Sequence, residues 1–129
     1  MAQTHEISFI DNPAIKDRAE KYLSVDVDTD KILDSWRTSL YAFEWITPEG
    51  RIKDVAELAE TEQQKRSAIE QKLQNEGTLA KPVLGIGLLE NIEIGIGRHE
   101  FLAAASHGLK KIPVHIPKSN QDDFTPFLS

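Results

Sequence analysis

The sequence predicts a small α/β (α+β) domain with a mixed sheet, a β-hairpin and packed helices. Short runs of β-branched residues alternate with longer runs of helix-forming residues, and glycines mark several of the boundaries. Residues 92–116 show the full order of strand, glycine turn, helix and second strand. A chain of 129 residues buries roughly two thirds of its unfolded surface, which is enough for one domain with a substantial core.

The composition limits the partners and the chemistry. The net charge of −6 and the pI of about 5.2 disfavour binding to DNA, because clustered Lys and Arg side chains are what hold phosphate backbones. DNA binding would need a local basic patch. The absence of cysteine excludes disulfides, thiolate metal sites and a cysteine nucleophile. Residues 1–6 do not resemble a signal peptide and no apolar run reaches the ~20 residues of a membrane span, so we expect a cytoplasmic protein without membrane contact.

The amino-terminal part predicts one strand and two helices. Residues 7–10 form a short apolar strand that ends where Asp and Pro residues follow. Residues 14–23 place their apolar side chains on one face of a helix. Residues 29–37 predict a second helix, because Thr29 or Asp28 can cap it and acidic residues occupy its first turn.

The acidic run at residues 26–30 resembles a fragment of a calcium loop. An EF-hand loop needs a glycine at its sixth position and a glutamate at its twelfth. Counted from Asp26, those positions hold Lys31 and Arg37, so the pattern fails. We interpret the run as a solvated turn that leads into the second helix.

Residues 40–46 are rich in aromatic side chains and predict a strand, which a turn at residues 47–50 follows. Tyr41, Phe43 and Trp45 have two interpretations, a platform on which nucleic-acid bases stack or part of the core. Core packing is favoured because no basic residue is interleaved with them.

Residues 51–76 predict a long helix, or two helices hinged near Thr61, that ends at Gly77. Apolar residues recur at helical spacing, but Glu62 and Arg66 interrupt the apolar stripe. Acidic and basic residues alternate elsewhere, which is typical of a solvated face.

A β-hairpin is predicted next, with strands at residues 83–88 and 92–96 and a tight turn at Glu90-Asn91. Glycine is unfavourable inside strands, so glycines here mark either bulges or backbone that a ligand approaches closely. The glycines concerned are Gly85, Gly87 and Gly95.

The turn at Gly97 and the helix after it have the features of an anion site. Gly95 and Gly97 permit a positive φ or a close approach of the backbone to a ligand. The first N–H groups of the helix lack partners, and the helix dipole adds positive potential there. Arg98 supplies a forked cation and His99 a ring nitrogen, so these four residues predict a phosphate-binding site.

The remaining histidines fit structural roles. His107 is expected at the carboxyl end of this helix, where the dipole favours a cation. His115 alternates with apolar neighbours and is expected to face outward from a strand, and His5 is expected at a mobile end. Nothing in their spacing suggests a shared metal site.

The box Gly97-Arg98-His99-Glu100-Phe101-Leu102-Ala103-Ala104, with the later run Gly108-Leu109-Lys110-Lys111-Ile112-Pro113-Val114, resembles the ParB/sulfiredoxin superfamily, which includes ParB-like nuclease domains. Pro82-Val83 matches the proline-led start of the family's hairpin, and Gly77 matches the glycine that ends the preceding helix. The resemblance covers residues 45–116. We therefore expect one domain over 1–129, with this core, a helical part at 1–44 and a polar tail at 117–129 whose apolar end docks or mediates association.

The resemblance implies that the box binds nucleotide phosphates at the helix amino terminus. The family includes partition proteins that bind and hydrolyse CTP, sulfiredoxins that use ATP, a free-serine kinase and proteins described as nucleases. By match, Gly97 would allow close approach, Arg98 would neutralise charge and His99 would hydrogen-bond a phosphate oxygen. A nucleoside triphosphate with Mg²⁺ is the implied cofactor.

The sequence departs from the family pattern in three places. Ile96 stands where many members have Asp, and Glu100 stands where the family usually has a second Arg. Arg98 stands where sulfiredoxins have their catalytic Cys, so sulfinic-acid reduction is excluded. A carboxylate beside bound phosphates lowers affinity unless a divalent ion bridges the two.

Three functions remain open from the sequence. The first is a domain that binds a nucleotide or small phosphorylated ligand and hydrolyses or transfers a phosphoryl group, with Glu100, Glu44 or Glu49 holding Mg²⁺ or acting as base. The second is an inactive interaction or regulatory module with a protein partner or a second copy. In that case Arg98 would form only a surface salt bridge with Glu93 or Glu100. The third and weakest is a metal-dependent DNase, since no carboxylate or histidine cluster is apparent.

Overall fold

The computed structural model describes residues 7–129, so the prediction for His5 lies outside the described residues. The strands are β1 (Ser8–Ile10), β2 (Tyr22–Asp28), β3 (Thr78–Ala80), β4 (Val83–Ile86), β5 (Ile92–Ile96) and β6 (Lys111–Pro117). The α-helices are α1 (Thr29–Trp36), α2 (Glu60–Glu76) and α3 (Arg98–Ser106). Short 3-10 helices occupy Pro13–Lys21, Ala42–Glu44, Val55–Glu57, Lys118–Asn120 and Asp122–Phe127.

The sheets are mixed, as the sequence predicted for a small α+β domain. One sheet has four strands in the order β2-β6-β4-β5, and within it β4 and β6 run parallel while the other pairs are antiparallel. β1 and β3 form a separate parallel pair. The predicted hairpin is confirmed, although its first strand ends at Ile86 and its turn spans Gly87 to Asn91.

The core lies between the four-stranded sheet and the α-helices. Ile112, Val114 and Ile116 alternate along β6 and are fully or almost fully buried. They share one hydrophobic cluster with Phe101 of α3 and Trp36 of α1. Side chains from both the amino-terminal part and the later core of the chain therefore pack against the same sheet.

Several boundaries follow the predicted local chemistry. The Asp28 side chain accepts a hydrogen bond from the Lys31 backbone N–H and caps α1. Asp26 and Asp28 lie at the end of β2 rather than in a turn. Gly77 ends α2 in the left-handed conformation, and Gly108 takes a positive φ just after α3. Gly95 lies opposite a register shift in β4, which confirms the bulge interpretation for that glycine.

The helix predicted at residues 14–23 is present as a 3-10 helix, and it ends before Tyr22. Pro13–Lys21 forms 3-10 turns with a kink at Arg18, and β2 starts at Tyr22. The reason is that residues from Tyr22 onward pair with β6, and the cross-strand hydrogen bonds outweigh the weak local preference for helix.

The strand predicted at residues 40–46 was wrong. Ala42–Glu44 is a 3-10 turn, and only Ile46 makes a bridge, with Ile52. The buried residues are Ala42, Trp45 and Ile46, which have the spacing of a helical turn, whereas a strand would alternate. Tyr41 and Phe43 stay exposed, so core packing holds for Trp45 alone among the three aromatics.

The long helical prediction at residues 51–76 was too long at its start, since α2 begins at Glu60. Before it, the Glu57 carboxylate accepts from the backbone N–H of Asp54 and pairs with Arg51, which closes a separate 3-10 turn. A break close to Thr61 agrees with the alternative of two helical segments.

The carboxyl-terminal segment docks on the domain. Phe124 is fully buried, and Leu128 makes an antiparallel bridge with Val27 beside the free edge of β2. The Ser129 N–H donates to the Asp26 carbonyl at 3.0 Å, which extends this pairing. None of the helices in residues 7–129 is long and apolar enough to cross a membrane.

Candidate functional site

The amino terminus of α3 is open to a cleft. β5 delivers the chain to Gly97, which adopts φ +85° and makes no side-chain cap. The first helical hydrogen bond runs from the Phe101 N–H to the Gly97 carbonyl at 2.9 Å. The N–H groups of Arg98, His99 and Glu100 therefore have no partner within the helix and carry its positive end.

The cleft at this terminus has a volume of about 380 Å³ and lies between α2 and α3. We call it the α3 cleft. Its polar lining comes from two stretches of sequence that only the fold brings together: Glu62 and Lys65 on α2, and Gly97, Arg98, His99 and Glu100 at the start of α3. Ala68 and Ile69 form its apolar wall.

Arg98 is held by an aromatic ring rather than by a carboxylate. Its guanidinium carbon lies 4.5 Å from the centre of the Trp45 ring, and one nitrogen donates to the Ile94 carbonyl at 3.3 Å. The predicted alternative, a salt bridge to Glu93 or Glu100, is not formed; Glu93 accepts instead from the Ser39 hydroxyl at 2.6 Å. Arg98 therefore forms no salt bridge with any carboxylate in residues 7–129.

Glu62 is the central acceptor of the cleft. One carboxylate oxygen accepts from His99 Nε2 at 2.9 Å and from Trp45 Nε1 at 3.0 Å, and the other lies 3.4 Å from Lys65 Nζ. The hydrogen bond from His99, followed by that from Trp45, lowers the pKa of Glu62 to about 2. Glu62 is therefore a carboxylate at neutral pH, held in place by two partners.

His99 faces the protein more than the cleft. It is buried, its Nε2 is engaged by Glu62, and its Nδ1 is buried without a hydrogen-bond partner among the described residues. Neither ring nitrogen is both free and accessible to a phosphate oxygen. In this arrangement the side chain of His99 positions Glu62, and its contribution to an anion site is its backbone N–H.

The two predicted glycines differ in position. A Cβ on Gly97 would lie 3.0 Å from Pro82 Cα, and its φ is in the left-handed region, so the turn requires glycine for its own packing. Gly95 lies in the exposed bulge of β5 and does not line the α3 cleft. Close approach of a ligand is therefore not needed to explain either glycine.

The predicted acids are dispersed. Glu100 lines the cleft, and one of its carboxylate oxygens lies 3.7 Å from where a Gly97 Cβ would stand, so it folds back toward the helix terminus. Glu44 and Glu49 are exposed, on the Ala42–Glu44 turn and the turn at residues 47–50, and neither lines the cleft. Within residues 7–129 no cluster of three or more acidic or histidine side chains is suited to a metal ion.

The structure corrects the prediction for one more histidine and adds one residue to the candidate site. His115 was predicted to face outward, but it is buried because the 3-10 helix Pro13–Lys21 covers that face of the sheet. His107 caps the end of α3 as predicted, with Nε2 at 2.8 Å from Glu70. Glu62 was missed as a site residue, although its interruption of the apolar stripe of α2 was the signal that could have identified it.

Comparison with protein-family models, with curated proteins and with solved structures finds no significant match to this chain. The resemblance stated above therefore depends on the residues of the box and on the order of the elements around it.

Proposed function

We propose that the α3 cleft binds the phosphate of a nucleotide or small phosphorylated ligand, in a domain of the ParB/sulfiredoxin type. The observation that carries the proposal is that Arg98, which forms no salt bridge with the described carboxylates, lines the same cleft as the residues whose N–H groups begin α3. Both features favour an anion, and together they supply charge and directed donors to one cleft.

Arg98 is suited to this role because its orientation is set before any ligand arrives. Stacking on Trp45 holds the planar guanidinium at 4.5 Å while its edges remain able to donate. Trp45 is itself fixed, because its Nε1–H donates to Glu62 and its ring stacks on Trp36. A side chain that is already ordered loses less conformational entropy on binding.

The carboxylates of the cleft restrict the ligand. Glu62 is ionised and Glu100 folds toward the helix terminus, so a bare polyphosphate meets repulsion there. A divalent ion between Glu100 and the phosphates would remove this repulsion, which is why the proposal includes Mg²⁺ for a nucleoside triphosphate. Hydrolysis or phosphoryl transfer would require the same ion, because such reactions are accelerated mainly by positioning the phosphates and stabilising their charge.

The test is a thermal-shift panel with ATP, ADP, CTP and GTP, each with and without Mg²⁺. A ligand at about 100 times its Kd raises the free energy of unfolding by roughly 2.7 kcal/mol, which is several degrees for a domain of this size. The decisive variant is Arg98→Met, which keeps an apolar stem over Trp45 but removes the charge. Arg18→Met is the matched control, because Arg18 is exposed and does not line the α3 cleft.

A shift for one nucleotide that persists in Arg18→Met and disappears in Arg98→Met supports the proposed site. A requirement for Mg²⁺ that Glu100→Gln abolishes would assign the metal contact to Glu100. The proposal fails if no nucleotide shifts the transition, or if Arg98→Met responds as the wild type does.

A second candidate function, a protein-interaction module, is favoured by one surface. Leu40, Tyr41 and Phe43 after α1 and Leu88 and Leu89 at the hairpin turn are all more than half exposed. The hydrogen bond from Ser39 to Glu93 ties the segment after α1 to β5, the strand that follows the hairpin turn. Exposed apolar patches of this kind mark contact sites.

Sedimentation velocity over a range of protein concentrations tests this candidate as a homodimer. Self-association that Phe43→Ser weakens would support it. A monomer at every concentration, with no change in Phe43→Ser, would exclude a second copy as the partner.

A further inference from the structure

A second pocket, separate from the α3 cleft, lies on the opposite face of the four-stranded sheet. It has a volume of about 320 Å³ and is bounded by the 3-10 helix Pro13–Lys21 and by strands β2 and β6. Ser24 of β2 and His115 of β6 are directly opposite each other in the antiparallel register. Cross-strand neighbours point to the same face, so both side chains enter this pocket.

His115 forms the polar part of the floor and directs a hydrogen into the pocket. The residue is 5% exposed, and Nε2 accepts a hydrogen bond from the Asn12 backbone N–H at 3.0 Å. Because Nε2 is the acceptor, a neutral ring carries its proton on Nδ1. No residue among 7–129 accepts from that nitrogen, and His115 lines the pocket.

Ser24 and Lys81 supply further donors at the rim. Lys81 Nζ donates to Ser24 Oγ at 2.8 Å and pairs with the Asp11 carboxylate at 3.0 Å. Since Ser24 Oγ accepts from the ammonium, its own hydrogen is free to donate into the pocket. Lys16 adds a second cation to the rim.

The same contacts exclude a nucleophilic role for Ser24. Lys81 Nζ is paired with the Asp11 carboxylate at 3.0 Å, and the hydrogen bond from Lys81 lowers the pKa of Asp11. His115 cannot take the Ser24 proton, since its Nε2 is occupied and its Nδ1 already bears hydrogen. The pocket therefore has converging donors but no general base, which fits binding rather than catalysis.

We propose that this pocket binds a small carboxylic acid with an apolar body, whose carboxylate is held by Ser24 and His115. Two lysines and one aspartate give the site a local excess of one positive charge in a chain of net charge −6. The buried side chain of Ile15 and the side chain of Ala19 line the remainder and suit an apolar group. A pocket of this volume is at the lower end for ligand sites and takes a small molecule.

The test is a titration of the ¹⁵N-labelled full chain with benzoate, followed by amide chemical shifts, with benzamide as the neutral molecule of the same shape. We expect benzoate to move the amide signals of Asn12, Ser24 and His115 with a Kd of about 1 mM. Benzamide should bind at least about tenfold more weakly, because the contacts to Ser24 and His115 are charge-assisted only for a carboxylate. Inorganic phosphate is titrated in parallel to measure binding of an anion without an apolar body.

Ser24→Ala should weaken benzoate binding about tenfold, whereas Ser67→Ala, on the surface of α2, should leave the Kd unchanged. The inference is overturned if benzoate fails to shift these amides, if benzamide binds as well as benzoate, or if Ser24→Ala retains the wild-type Kd. Equal binding of phosphate at the same amides would also overturn it, because the apolar part of the pocket would then contribute nothing. The comparison of benzoate with benzamide needs no variant and so does not depend on the stability of Ser24→Ala.

Discussion

Glu62→Gln tests whether the charge at the centre of the α3 cleft stabilises the fold. The side chain of Glu62 is 13% exposed, and one of its oxygens accepts hydrogen bonds from both Trp45 and His99. A carboxyl whose pKa falls from 4.5 to about 2 on folding contributes at most about 3 kcal/mol to the free energy of unfolding at pH 7. Glutamine keeps an acceptor oxygen but not the charge, so we expect a loss of about 2 kcal/mol.

The loss should depend on pH in one direction. The folded-state pKa is lowered, so the stabilisation is fully present above pH 4.5 and is lost as the pH falls toward 2. Urea unfolding followed by circular dichroism should therefore show a large difference between wild type and Glu62→Gln at pH 7. That difference should shrink by roughly half at pH 3 and further as the pH approaches 2. At pH 7 the Tm should fall by about 5 to 10 °C.

Glu60→Gln is the matched control, because Glu60 lies in the same first turn of α2 but is exposed. Its effect should stay within about 0.5 kcal/mol at either pH. A Glu62→Gln protein as stable as the wild type would refute the reasoning. So would a difference that is the same at pH 7 and in acid, because a lost hydrogen bond without a charge would explain it.

Three further changes have defined outcomes. Gly97→Ala and Gly108→Ala each force alanine into a positive φ, but only the added Cβ at Gly97 would meet another residue, Pro82. Urea unfolding should therefore show Gly97→Ala to be more destabilising than Gly108→Ala by about 1 kcal/mol or more. Burial, together with the nearby Lys81, lowers the pKa of His115 below 6.5. The unfolded chain therefore binds a proton more readily than the folded chain, and the free energy of unfolding should fall as the pH drops below 6.5. A His115→Gln chain should lose part of that pH dependence. Asn12→Ala removes the cap on Ala14 and the donor to the Lys81 carbonyl, and its free energy of unfolding should fall by about 1 to 3 kcal/mol.

Local chemistry identified the start of α3 correctly. Gly97 has no Cβ, and the small side chains after Arg98 favour helix, so the turn and the helix follow from the residues themselves. The hairpin was also predicted correctly, because runs of β-branched residues flank a short turn. The same approach failed at residues 40–46, where the aromatic content suggested a strand. The segment instead forms a 3-10 turn, and its buried residues Ala42, Trp45 and Ile46 have helical spacing.

The candidate site was only half visible in the sequence. Arg98 and the helix terminus are contiguous, so their proximity needs no tertiary information. Glu62 and Trp45 reach Arg98 and His99 only because the fold brings α2 and the segment after the Ala42–Glu44 turn to the start of α3. No spacing rule connects residues so far apart, and the role of His99 changed once its ring nitrogen was found on Glu62.

The sequence by itself determined the α+β class, the hairpin, the glycine turn and the helix that presents Arg98, because each depends on propensities and turn chemistry over a few neighbouring residues. The tertiary structure alone decided which side chains surround that helix. It buried His115 under the 3-10 helix Pro13–Lys21 and set Glu62 against His99. The physical reason is that burial and ion placement are properties of packed surfaces, which form between elements distant in the chain.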